Sequence, residues 1–120
     1  MPGKLVHFEL PAQDVDRAKR FWGGVFDWEF GESAMPDFQY FMVRTGEDQG
    51  GAILPSADRV TAPIVYFDTD DIDASIARVR ELGGNAEDKM PIPHVGWFSR
   101  CEDPEGIAFS LFQGDGSVTG

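Results

Sequence analysis

The run LVHFEL at residues 5–10 alternates apolar and polar side chains, the period-two pattern of a strand with one covered face. From Asp14 the period changes. Val15, Ala18, Phe21, Trp22 and Val25 recur at helical steps, and Asp14 stands where a helix N-cap is expected. Gly23 and Gly24 fall inside this segment, and each weakens a helix by about 1 kcal/mol relative to Ala, so its last turn is expected to fray. The segments DWEF, FQYFMVRT and GGAILP then return to strand-like patterns. The predicted order over the first half is β-α-β-β-β.

The second half repeats that order: PIVYFDT as a strand, DIDASIARVRELGG as a helix, then NAEDKM, GWFSRC and IAFSLFQ as strands. Asp71 is the predicted cap of the second helix, Ile72, Ile76, Val79 and Leu82 its buried stripe, and Gly83-Gly84 its end. A shift of 57 residues carries Asp14 onto Asp71, Pro36 onto Pro93, Tyr40-Phe41 onto Trp97-Phe98 and Leu54 onto Leu111. The fold class is therefore read as α+β, two βαβββ modules at 1–57 and 58–115 in one domain of 120 residues, with the tail GDGSVTG flexible. DPEG at 103–106 is read as a four-residue hairpin turn, which sets Ser99 opposite Ser110.

Charge narrows the partners. Twenty-one acidic residues against 10 basic ones give a formal net charge of −11, which repels phosphate backbones and anionic lipid, so neither nucleic acid nor membrane is expected. FDTDDID is the densest acidic run, but it lacks the spaced Gly and closing Glu of a calcium loop. Cys101 is the single cysteine, and the start MPGKLVHFEL has neither the basic opening nor the apolar stretch of a secretory signal, so a cytoplasmic location is expected. Glu102 and Asp103 beside Cys101 are expected to raise its pKa.

The segments VHFELPAQDVDRAKRFWGGVFDW, YFDTDDIDASIARVRELGG, MPIPHVGWF and DPEGIAFSLFQ resemble the vicinal oxygen chelate superfamily, which includes glyoxalases, bleomycin resistance proteins and extradiol dioxygenases. The likeness covers nearly the whole chain. It implies paired βαβββ modules whose mixed sheet curls into a cup around a ligand, often in a homodimer, but no single reaction. Metal-dependent members hold a divalent cation through four side chains, from the first and last strand of each module. Here His7 matches the first of these positions. Ile64 is its counterpart by the 57-residue shift, and Ile53 and Ser110 fall at the last-strand positions, so no metal and no other cofactor are expected.

If His7 faces inward, the alternation brings Glu9, Tyr40, Met42, Ile53, Ile64, Tyr66, Trp97, Ser99, Ser110 and Phe112 into an apolar, aromatic ligand cavity with a small polar cluster. Each has a structural alternative. The aromatic residues can simply fill the core, and His7 can be a buried neutral imidazole bonded to Glu9 or to backbone. As a catalytic pair, Glu9 would orient His7 and His7 would abstract a proton. His94 is read as a rim residue, and Trp22 and Trp28 as core or dimer contacts. The leading reading is a metal-free protein that binds a small organic molecule. The alternatives are a metal-dependent lyase or isomerase of the glyoxalase kind, and an interaction module without a ligand.

Overall fold

A computed structural model describes residues 3–35, 37–47, 49–56 and 62–119. Along these residues run β1 (Leu5–Ala12), α1 (Val15–Phe26), β2 (Ser33–Met35), β3 (Phe38–Arg44), β4 (Gly50–Pro55), β5 (Ile64–Asp68), α2 (Ile72–Glu81), β6 (Asn85–Ala86), β7 (Met90–Ile92), β8 (Gly96–Glu102) and β9 (Ala108–Gly114). The chain divides into two compact units, residues 7–64 and residues 1–6 with 65–120. The module boundary expected at 57/58 and the expected match of Pro36 to Pro93 involve positions outside the described residues.

In the 7–64 unit, β4 runs parallel to β1 and antiparallel to β3, and β2 pairs with the far side of β3. Asp14 caps α1, its side chain accepting the Arg17 N–H at 3.0 Å, and Asp27 ends the helix in the left-handed region with φ 57°. The two glycines do not fray the last turn. The packing of Phe8 requires glycine at position 51, because a Cβ there would lie 2.3 Å from the Phe8 ring. Phe8 packs on Trp28, and Trp28 stacks on Trp22 of α1 with centroids 5.6 Å apart. Phe8, Gly51, Ile53, Phe41 and Val43 thus form the helix-covered face, where Lys19 of α1 sits over the Phe41 ring.

In the other unit, β5 runs parallel to β9, β8 lies antiparallel to β9, and β6 and β7 both pair with β8. Asp71 caps α2 by accepting the Ala74 N–H at 3.1 Å, and the Gln113 side chain accepts the Ile72 N–H at 2.8 Å. Gly83, at φ 96°, closes the helix in a Schellman arrangement, with Gly84 N–H on Val79 O and Gly83 N–H on Arg80 O. Ile72, Ile76, Cys101 and Leu111 are the buried core, with Val79, Ala86, Trp97 and Phe109 against them. Burying each isoleucine contributes about 1.5–3 kcal/mol. The α+β class and the βαβββ order hold in both units, the second with the two-residue β6 added after its helix, where the expected strand NAEDKM is broken at 87–89.

Five expectations are corrected. DWEF is not a strand; the pairing segment comes later, at β2. Leu82 is 62% exposed, because the helix has already ended beneath it. The tail is tied down rather than flexible through Thr119: Val118 is buried and its carbonyl accepts the His94 N–H at 2.9 Å. The β8–β9 turn takes five residues, since Asp103 Oδ1 accepts both the Glu105 and Ile107 N–H groups and Gly106 turns at φ 84°. Ser99 therefore faces Leu111, and Ser110 faces Arg100.

The fifth correction concerns the repeat. The 57-residue shift superposes β1, α1 and β2 on β5, α2 and β7, but β3 and β4 require 58 to match β8 and β9. Two residues separate β2 from β3 and three separate β7 from β8, and the longer turn carries His94 at φ 65°. One added residue moves every later side chain to the opposite face if the shift is held at 57. The counterpart of Ser110 is accordingly Ala52, not Ile53.

Candidate functional site

The strand register sorts the first unit's side chains. Glu9 lies beside Ala52, and Ala52 beside Met42, so His7, Glu9, Tyr40 and Met42 share the face opposite α1. Between β1 and β3 on that face, β4 offers Gly50 and Ala52 beside His7 and Glu9, one without a side chain and one with only a methyl group. The Tyr40 phenol can thus reach across β4. Its hydroxyl donates to Glu9 Oε2 at 2.8 Å and lies 2.8 Å from His7 Nε2. A phenol has one proton, and an ionised carboxylate can only accept. The His7–Tyr40 bond must then be donated by His7 Nε2–H, which fixes the tautomer. Glu9 reaches His7 through Tyr40 rather than directly.

All three side chains are half-buried. Burial pushes the His7 pKa below its ordinary value of 6.5, and the nearby Glu9 charge pulls part of the way back. Burial thus favours the neutral, hydrogen-bonded imidazole, a form that can accept a proton.

The remaining expected cavity residues divide. Ile53 is fully buried on the α1 side, beside Leu10 and Phe41, and leaves the candidate face. Trp97 and Ser99 also lie on the helix side of their unit: Trp97 packs on the α2 core, and Ser99 Oγ donates to Glu87 O at 2.8 Å. Tyr66, Ser110 and Phe112 share the face away from α2, with Phe98 and Arg100. Ile64, half-buried at the start of β5, takes the position that His7 holds in β1. Cys101 is buried in the α2 core. Burial raises its thiol pKa first, and Glu87, not Glu102 or Asp103, is the acidic contributor.

Sequence reasoning missed Tyr40 as the bridge, although the small pair Gly50 and Ala52 in GGAILP marked the gap it crosses. It also passed over Arg100. Among the described residues, no three or more His, Cys, Asp or Glu side chains cluster to hold a metal ion. An open depression of about 570 Å³ lies in the 65–120 unit, with Arg80, Glu87, Arg100 and Ala108 among its lining residues. It contains none of His7, Glu9 and Tyr40.

The glyoxalase-like domain family model matches residues 6–112. The chain belongs to this family. A glyoxylase-like domain-containing protein of Didymella fabae is 30% identical over 119 residues, covering 91% of this chain and 92% of that one. CFP32 of Mycobacterium bovis is 30% identical over 115 residues, covering 92% of this chain, but the chain spans only 44% of CFP32. Among solved structures, a glyoxalase/bleomycin resistance protein/dioxygenase superfamily member from Vibrio splendidus 12B01 superposes with a TM-score of 0.70. That match has 16% identity and covers 92% of this chain and 98% of the other, so it shows the fold.

Proposed function

We propose that this glyoxalase-like protein binds a small organic carbonyl compound without a metal, and that His7 takes a proton from the carbon next to the carbonyl. The observation that carries this reading is the bonded chain from His7 Nε2 through the Tyr40 hydroxyl to Glu9. A neutral imidazole accepts the proton, and the Glu9 charge, relayed by the phenol, stabilises the resulting cation. The donor set supports the metal-free part. With the register corrected, the four positions implied by the superfamily resemblance hold His7, Ala52, Ile64 and Ser110, and a tight divalent site takes about three or four ligands. We also propose a homodimer, supported by Phe21, Val25 and Phe26 of α1, exposed at 60%, 55% and 54%.

The test is proton exchange. Aldehydes, keto acids and acyl thioesters are incubated with the protein in D2O, and deuterium entry next to the carbonyl is followed by NMR. Exchange is expected for at least one class, unaffected by chelator and lost in His7→Ala. Exchange that persists in His7→Ala, or that requires added zinc, nickel, iron or manganese, overturns the reading. Light scattering near the chain mass of 13.3 kDa at micromolar concentration would refute the dimer.

A further inference from the structure

We propose that the face carrying Ser110 and Arg100 binds a small apolar carboxylate, with the hydroxyl and the guanidinium as its donors. Ser110 is 1% exposed, and among the described residues its Oγ has no hydrogen-bond partner. A hydroxyl buried in that way costs about 1–3 kcal/mol unless something bonds it. Arg100 is its direct partner in the β8–β9 ladder, so both side chains rise from the same face. Among the described residues, no carboxylate lies within ion-pair distance of Arg100, whose guanidinium sits 5.8 Å from the Phe98 ring centre. Phe98 packs in turn against Tyr66, centroids 6.5 Å apart. A fork of cationic donors and a dry hydroxyl thus stand beside an aromatic wall.

The 570 Å³ depression is bordered by Arg100 and by Ala108; Ser110 lies two residues beyond Ala108 on the same face, outside the depression's lining. Arg80, also in that lining, is already bonded to the Ala86 carbonyl and Asp88. Glu87 and Glu102 also border the depression, and they repel a dianion more than a monoanion. Planar bidentate geometry at Arg100 and this charge pattern both favour a carboxylate over phosphate, and the aromatic wall favours an aryl or alkyl acid.

Benzoate is the probe. It is titrated into the wild-type protein, Arg100→Gln and Ser110→Ala by calorimetry, with benzamide and inorganic phosphate as controls, and urea unfolding is followed with and without benzoate. Wild-type protein is expected to bind benzoate but neither control. Arg100→Gln is expected to weaken binding by roughly tenfold or more, and Ser110→Ala by about three- to tenfold. Benzoate should raise the wild-type urea midpoint most, that of Ser110→Ala less and that of Arg100→Gln least. Without ligand, Ser110→Ala should unfold at higher urea than wild type, because it removes an unsatisfied hydroxyl. Failure of benzoate to bind, equal binding by the three proteins, binding of phosphate in its place, or a lower midpoint for Ser110→Ala would each overturn the proposal. The readout concerns residues of the 65–120 unit alone, so its failure leaves the His7 exchange test standing.

Discussion

The two units share one topology and differ in the chemistry on the face away from their helices. Where β1 carries His7 and Glu9, β5 carries Ile64 and Tyr66; where β3 and β4 carry Tyr40, Met42 and Ala52, β8 and β9 carry Phe98, Arg100 and Ser110. In the first unit the polar groups bond one another, and in the second the buried Ser110 hydroxyl has no hydrogen-bond partner among the described residues. Strand order and helix capping fix the backbone of a βαβββ unit, but they place no constraint on which side chains line the uncovered face.

The largest difference expected between the units lies under their helices. Ile72 is 1% exposed in a core with Ile76, Cys101 and Leu111, whereas its counterpart Val15 is smaller and 6% exposed. Ile72→Ala should cost about 3–4 kcal/mol, and Val15→Ala about 2 kcal/mol, by urea unfolding. Equal losses would mean that the two helices are anchored alike.

Next comes the contrast between a bonded and an unbonded hydroxyl. Tyr40→Phe removes the group that joins His7 to Glu9 and should lower stability by about 1–3 kcal/mol, the opposite sign to Ser110→Ala. If both variants shift the midpoint in one direction, the contrast fails.

The pH profile sharpens the same comparison, because His7 has Ile64 as its counterpart. Its folded pKa lies below the unfolded value of 6.5, so around and below that pH the unfolded chain binds more protons than the folded one. The contribution is fully present above pH 6.5 and is lost as pH falls through the folded pKa. Wild-type stability should drop relative to His7→Gln as pH is lowered from about 7.5 to about 5, and parallel profiles would count against a buried neutral imidazole.

The smallest effect concerns the helix ends. α1 ends on Asp27 at φ 57° and α2 on Gly83 at φ 96°. Asp27→Gly should gain, and Gly83→Ala should lose, roughly 1 kcal/mol or less, read as opposite shifts in melting temperature.

The sequence alone determined both helix starts, since an Asp one position before an apolar stripe caps a helix wherever it is placed, and Asp14 and Asp71 do so. It also determined the βαβββ order and the side-by-side placement of His7 and Glu9, because side-chain alternation along one strand needs no partner. What it could not supply was the pairing between strands. Whether Ser110 meets Ser99 or Arg100 depends on a turn of four or five residues, and that length was decided by the Asp103 side chain gathering two N–H groups and by Gly106 in a left-handed conformation. Whether Ser110 corresponds to Ile53 or Ala52 depends on the added residue near His94, whose own N–H is held by Val118 from the end of the chain. Each such step moves side chains by a whole face, so Ile53, Trp97 and Ser99 went to the helix side. Tyr40 kept its face because the two errors cancelled there. The bridge from His7 to Glu9 was decided last, by a phenol crossing a strand of small residues, and a contact of that kind exists only once three strands lie side by side.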